Sequence, residues 1–364
     1  MSHKHIRKHI HKIAPYSPGK PITEVQRELG LTDIIKLASN ENPNGPSHKA
    51  VEAGAQVLRE ANMYPDGSCW NLRMELSRHL GVPEECLLFG NGSDEIIHML
   101  GVTFLEPGDE VLTATPTFVQ YVAAAKLNDV TAVTVPMQAD LKYDLRAMAA
   151  HVNDRTKLVF IANPNNPTGT LVSTDELTQF IAGLPPRVTV VMDEAYYEYV
   201  DDPSYRQTIP MILQGARVVT MRTFSKAYAL AGLRIGYAVM SAELASAINR
   251  IREPFNVNLV AQAAACAALA DQEHIAKAVA LNRKGLDYFG AECDRLGLPW
   301  IPSQANCMMI NVKRDAREVF DRLLRKGVIV RSGEIFGLPT WIRVTTGTME
   351  QNRRFVQSLE EVLT

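Results

Sequence analysis

"TFSKAYALAGLRIGY" spans Thr223–Tyr237 and sets one lysine, Lys226, among Ala, Leu and Gly. Ser225 precedes it, and Arg234 follows eight positions later. A lysine in small apolar surroundings is partly desolvated, which lowers its pKa and leaves more free amine. Such an amine forms a Schiff base with an aldehyde. Thr223, Ser225 and Arg234 offer hydroxyls and a fixed cation to a phosphate. The same residues also fit a snorkelling surface lysine followed by a structural arginine, so the stretch is decided by its context.

Outward from Lys226 the chain alternates short apolar strands with helical segments. "ARVVTMRTFSK" and "IGYAVMS" flank the lysine, and "DEVLTATPTF", "KLVFIANP" and "VTVVMDEAY" repeat the form upstream. Alternation of this kind predicts an α/β fold with a mostly parallel sheet covered on both faces. Ligands of such sheets bind at the carboxyl ends of the strands. Near residue 250 the character changes to a long Ala-rich helical region. "ANCMMINV", "VIVRS" and "WIRVTTG" then read as short strands, with one helix between the first two and another at the end. The expected division is residues 1–45 as an arm with part of a small domain, 46–255 as the large domain, and 256–364 as a small α+β domain.

Three further motifs stand at predicted strand ends. "GNGSDEIIHML" puts Ser93 and Asp94 in the first turn of a helix, where free backbone N–H groups can seat a phosphate, although Gly-Ser-Asp is equally an ordinary helix cap. "NPNNPTGT" is first of all a turn, but Asn166 between prolines could hold a ligand oxygen. In "VVMDEAYYEY", Asp193 closes a buried strand, a costly place for a carboxylate unless it is paired, and Tyr196 follows three residues on.

Together these groups ask for an aldehyde at Lys226, a cationic ring nitrogen at Asp193 and an oxygen near Asn166 and Tyr196. They also ask for a phosphate near Ser93, Asp94, Ser225 and Arg234. Pyridoxal 5'-phosphate carries all four features.

Bulk properties narrow the class. The 364 residues are 46% hydrophobic and 21% charged, with net charge -2. No block of like charge points to nucleic acid or membrane, and no apolar run reaches the length of a membrane helix. Five cysteines without CxxC spacing read as reduced thiols of a cytoplasmic protein. The N-terminal "MSHKHIRKHIHKIAPYSPGKP" lacks the apolar core of a secretory signal, and its histidines read as an arm rather than a metal site. No metal is expected.

In this order, "GSDE", "PTF", "NNPTG", "DEAY", "TFSK" and "GLRIGY" resemble the class II pyridoxal-phosphate aminotransferases of fold type I. With "ASNENPNGPS", "MYPDGS", "VIVRS" and "WIRVTTGT", the chain is most similar to the histidinol-phosphate aminotransferases over nearly its whole length. The resemblance implies a seven-stranded, mostly parallel sheet and a homodimer with shared active sites. It gives Lys226 the cofactor aldehyde and the proton shuttle, and Asp193 the ring nitrogen. Asn166 and Tyr196 would take the ring oxygen, and Phe118 the ring face. Many relatives carry tyrosine at that place, so its hydroxyl would be missing here. Ser93, Asp94, Thr223, Ser225 and Arg234 would hold the phosphate.

For substrate the resemblance implies Tyr16, Asn42, Arg331 and Arg343, with Tyr64 supplied by the neighbouring subunit. Two guanidinium groups suit a phosphate or carboxylate. The implied reaction exchanges an amino group between L-histidinol phosphate and 2-oxoglutarate. An aromatic amino-acid aminotransferase and a threonine-phosphate decarboxylase share the scaffold and remain alternatives. A ligand-sensing regulator would need a DNA-binding region, for which the chain has no spare length.

Overall fold

Seven strands form the central sheet of the computed structural model, which describes residues 5–13, 15 and 19–364. In chain order, helix α1 (Ile22–Leu29), strand β1 (Ile35–Lys36) and helices α2 (His48–Val57) and α3 (Trp70–Leu80) precede it. Then come β2 (Leu87–Gly90), α4 (Ser93–Phe104), β3 (Glu110–Thr115), α5 (Val119–Leu127), β4 (Thr131–Pro136) and α6 (Leu145–His151). The alternation continues with β5 (Thr156–Ala162), α7 (Thr174–Ala182), β6 (Thr189–Asp193), α8 (Ile209–Leu213), β7 (Val218–Thr223) and β8 (Gly236–Val239).

The strand order is β2-β8-β7-β6-β5-β3-β4, and only β8 runs against its neighbours. The sheet is therefore mostly parallel, as expected, and its central strands β5 and β6 are buried almost throughout. Strands buried on both faces read as continuous apolar runs, which is why "KLVFIA" and "TVVMD" were recognisable. β2 and β4 were not read from the sequence. β2 is only four residues long, and β4 lies at the sheet edge with a largely exposed face.

The remainder is helical and then mixed. After α9 (Ala242–Asn249), the Ala-rich region forms two helices, α10 (Leu259–Leu269) and α11 (Gln272–Leu296). β9 (Trp300–Ile301), β10 (Cys307–Asn311), α12 (Ala316–Arg325), β11 (Val328–Ile329), β12 (Arg331–Ser332), β13 (Trp341–Thr345) and α13 (Met349–Leu363) follow. "VIVRS" is thus two strands: β11 pairs with β1, whereas β12 joins a four-stranded sheet in the order β12-β13-β10-β9.

α10, which begins just beyond residue 256, packs on the core of the large sheet. Ala261, Ala264, Ala265 and Ala268 of α10 lie in the same core as Ala50 and Leu72 of α2 and α3. Small alanine side chains let these helices approach closely. The change of core comes inside α11, between Ile275 of the first core and Leu286 of the second. Ile35 and Leu37, at the β1–β11 pairing, lie in the second core.

The described part of the arm docks on α5. His9 is buried, with Nε2 3.2 Å from the Leu127 carbonyl and Nδ1 3.5 Å from Asp129. Among the described residues no His, Cys, Asp and Glu group gathers to hold a metal, and no helix is long and apolar enough to cross a membrane.

Candidate active site

The carboxyl ends of β2, β5, β6 and β7 open onto one cleft with an empty volume of about 830 Å³. Every residue expected around a cofactor lines it. One group forms where α4 begins. Its N-cap is Gly92, at φ 79°, and no side chain caps the helix. Ser93 is therefore the first helical residue and not a cap, and the uncapped N–H groups are available to an anion. Gly236, between the ends of β2 and β7, permits this approach: a Cβ there would stand 2.7 Å from the Ser93 nitrogen. Arg234 reaches across to Asp94 at 3.5 Å, and the Thr223 hydroxyl accepts the Ser225 N–H at 3.1 Å. Ser93, Asp94, Thr223, Ser225 and Arg234 thus share the cleft with a helix N-terminus.

Lys226 donates to the Ser39 carbonyl at 3.2 Å and lies 5.9 Å from the centre of the Tyr196 ring. Burial, and then the Arg343 cation, hold its amine down at about 8. Asp193 is 5% exposed, and burial pushes its carboxyl up to about 6. Oδ2 accepts the Tyr121 hydroxyl at 2.7 Å and Oδ1 the Ala195 N–H at 3.1 Å. The aspartate is therefore hydrogen-bonded by neutral donors and still costly in its charged form, so a ligand cation would suit it. The cleft offers an amine, a carboxylate and an anion cradle, which fits an aldehyde-bearing, phosphorylated, nitrogen-containing ring.

The other expected residues divide into groups. Asn166 and Tyr196 line the cleft, and one oxygen of each accepts from a protein donor. Asn166 Oδ1 accepts from Arg343 Nη1 at 2.6 Å, and the Tyr196 hydroxyl accepts from Asn40 Nδ2 at 2.8 Å. Phe118 precedes α5 and lines both this cleft and a larger apolar cavity beside it. Arg331, Arg343 and Phe336 line that second cavity with Asn166, so the two spaces adjoin. Arg331 and Arg343 face each other in register on β12 and β13.

Asn42 does not line the cleft: its amide donates to the Ala227 carbonyl at 2.9 Å and its oxygen accepts the Asn44 N–H. It braces the loop after Lys226. Tyr64 is 82% exposed and stacks on Phe255, away from the cleft of its own chain. Tyr16 lies outside the described residues.

Several residues that complete the site were not singled out from the sequence. Tyr121 is the hydroxyl partner of Asp193. Asn40 ties Tyr196 to Cys307 and, through Thr345, to β13. Asn165 takes the inner position in "NPNNPTGT", bonding Thr117, Thr168 and the Pro116 carbonyl. Neighbouring asparagines thus split the work, one bracing the loop and one facing the cleft. Behind the site Glu194 and Arg222 form a buried ion pair. The one available signal was position: Tyr121 follows Phe118 by one helical turn.

The profile of the aminotransferase class I and II family matches residues 32–359. The chain belongs to that family. Within it, the chain is 50% identical to a histidinol-phosphate aminotransferase of Moorella thermoacetica, over 98% of this chain and 92% of the relative. It is 48% identical to one from Caldicellulosiruptor saccharolyticus, over 98% and 99%. Among solved structures, the histidinol-phosphate aminotransferase of Sinorhizobium meliloti in complex with pyridoxal 5'-phosphate superposes with a TM-score of 0.92. It is 28% identical and covers 100% of this chain and 98% of its own. The superposition agrees with the α/β architecture described above.

Proposed function

We infer that this chain is a pyridoxal-phosphate-dependent aminotransferase that exchanges an amino group between L-histidinol phosphate and 2-oxoglutarate in histidine biosynthesis. The observation that carries the reading is the meeting of Lys226, Asp193 and the α4 N-terminus in one cleft beside a cavity lined by two arginines. The relatives' shared function supports the choice of substrate.

When bound, the cofactor supplies an aldehyde and an electron-accepting ring. The chain's residues do the rest. Lys226 Nζ would hold the cofactor's aldehyde carbon and, as a free amine, would serve as general base for the substrate's α-proton and as the general acid that returns it. Its depressed basicity keeps part of the amine neutral near pH 7. Asp193 holds a proton at the ring nitrogen. The uncapped α4 N–H groups, Ser93, Asp94, Thr223, Ser225 and Arg234 hold the phosphate. Phe118 packs on the ring face, and Asn166 and Tyr196 orient the ring oxygen. Arg331 and Arg343 bind the substrate's anionic group, with Tyr16 at the same site.

The active unit is a homodimer in which Tyr64 completes the neighbour's site. Exposed Leu58, Met63, Tyr64, Trp70 and Phe255 support a covered surface there. Five free cysteines support a reducing, cytoplasmic location.

Single-turnover absorbance on cofactor-loaded protein tests the reading. L-histidinol phosphate, L-phenylalanine and O-phospho-L-threonine are added separately. Fastest conversion with histidinol phosphate is expected. Faster conversion with phenylalanine would move the enzyme to aromatic amino acids, and decarboxylation of phosphothreonine would replace amino transfer.

A further inference from the structure

Burial raises the pKa of Asp193, and the hydroxyl of Tyr121 opposes that shift. Tyr121 has no exposed surface, and its ring is stacked on Phe160 at 4.8 Å and meets Phe118 edge-on at 5.6 Å. A phenol clamped by two rings cannot swing away. Its hydroxyl points at Asp193 Oδ2, 2.7 Å distant. A phenylalanine would fill this apolar position without a polar atom to satisfy, so the hydroxyl costs burial and gains only the bond to the carboxylate.

We propose that Tyr121 is a positioning residue for the ring chemistry: its hydroxyl keeps Asp193 the anion, so that the shared proton stays on the ring nitrogen of the cofactor. The proposal rests on the pyridoxal-phosphate reading above. A carboxylate and a pyridine-type nitrogen compete for one proton, and the more basic partner holds it. Burial makes Asp193 unusually basic, and the nearby Asp94 pushes the same way. A donated O–H on Oδ2 opposes both by stabilising the charged carboxylate. The Ala195 N–H on Oδ1 leaves the carboxylate oriented but adds only a longer bond, 3.1 Å. Tyr121 therefore supplies the shorter of the two recorded bonds that decide which atom carries the proton. Its hydroxyl donates to Asp193, so it acts through that carboxylate.

The test loads wild type and Tyr121→Phe with pyridoxal phosphate labelled with 15N in the ring. The ring-nitrogen chemical shift and the cofactor dissociation constant are then measured. Wild type is expected to show a protonated-type shift. Tyr121→Phe should move toward the unprotonated value and bind the cofactor roughly tenfold more weakly, the ordinary worth of a hydrogen bond to a charged group. A variant whose shift equals wild type and whose dissociation constant lies within twofold overturns the proposal. A packing role alone would leave the nitrogen shift where it was, because phenylalanine keeps the ring contacts. Should Tyr121→Phe fail to fold, 3-fluorotyrosine at position 121 keeps both ring and hydroxyl. Its 19F resonance should move on cofactor loading, and a resonance that stays fixed overturns the proposal. Wild type that takes up no pyridoxal phosphate overturns this inference and the parent reading together. Uptake by wild type with an indifferent variant overturns this inference alone.

Discussion

Arg343 Nη1 donates to Asn166 Oδ1 at 2.6 Å, joining a strand of the smaller core to the loop that follows β5 of the large sheet. Its second terminal nitrogen donates to the Ala38 carbonyl, also at 2.6 Å. The Nε, in a side chain that is 7% exposed, has no partner. A buried guanidinium with an open donor on the rim of a cavity is prepared for one more acceptor.

That open donor leads to the first prediction. Arg343→Lys retains a positive charge but cannot keep the Asn166 and Ala38 bonds while presenting a fork to an anion. Losing one or two charge-assisted bonds should lower kcat/KM by about a hundredfold, mostly through a higher KM for the anionic substrate. Steady-state kinetics decide it. An unchanged KM would remove Arg343 from the substrate site.

Lys226→Ala carries the second. Borohydride treatment of the loaded variant should leave no cofactor covalently attached, as read by mass spectrometry, and turnover should fall by roughly 10⁴-fold or more. The cofactor-free variant should be at least as stable as wild type at pH 7. In the folded protein burial disfavours the charged lysine, so alanine removes a cost. Retained turnover would sink the assignment of the nucleophile.

How far the sequence reached can be judged residue by residue. Asp193 was legible because a carboxylate ends an apolar strand, a placement that needs a reason. Lys226 was legible because a cation stands among small residues. Tyr121 was not, because an aromatic on a helix is ordinarily core, and only the fold brings its hydroxyl to Asp193, 72 positions along the chain. The roles of Asn165 and Asn166 could not be separated either. Adjacent identical residues in a turn face different ways only once the turn's geometry is fixed. The core that α10 joins is not legible in the sequence, because alanine-rich helices carry no mark of which partner they approach.

The titration of the two central groups gives the third prediction. The neutral amine is the nucleophile, and Lys226 is held at about 8. The rate of covalent cofactor loading should therefore rise with pH, reach half its limit near 8 and then level off. Asp193, at about 6, should become neutral below that pH, and the cofactor should then be held more weakly. The effects on folding have definite signs. Lys226 is depressed from 10.5, so the folded chain binds fewer protons than the unfolded one between about 8 and 10.5, and its contribution to stability rises with pH there. Asp193 is raised from 3.8, so its contribution is present below that value and is lost as pH rises through about 6. Stopped-flow loading across pH checks the first claim; a loading rate independent of pH from 6 to 9 would contradict it.

The pair behind the site yields the fourth. Glu194 is fully buried and Arg222 is 4% exposed. Arg222 donates to Glu194 Oε2 through Nε at 3.0 Å and Nη2 at 2.7 Å, and stacks over Tyr197 at 3.8 Å. Glu194 Oε1 accepts from the Tyr205 and Thr208 hydroxyls and the Thr208 N–H. Arg222→Met would leave that carboxylate buried with neutral donors only, and should destabilise the cofactor-free protein by about 3–5 kcal/mol in urea denaturation. Replacing both partners, Glu194→Gln with Arg222→Met, should cost clearly less, because no unpaired charge remains. Glu194 directly follows Asp193, and Arg222 directly precedes Thr223, so the pair also fixes the two strand ends that carry the cofactor groups. Arg222→Met should therefore weaken cofactor binding as well as stability. A variant that loses stability but keeps wild-type cofactor affinity would confine the pair to folding and leave the alignment of β6 and β7 to their backbone ladder alone.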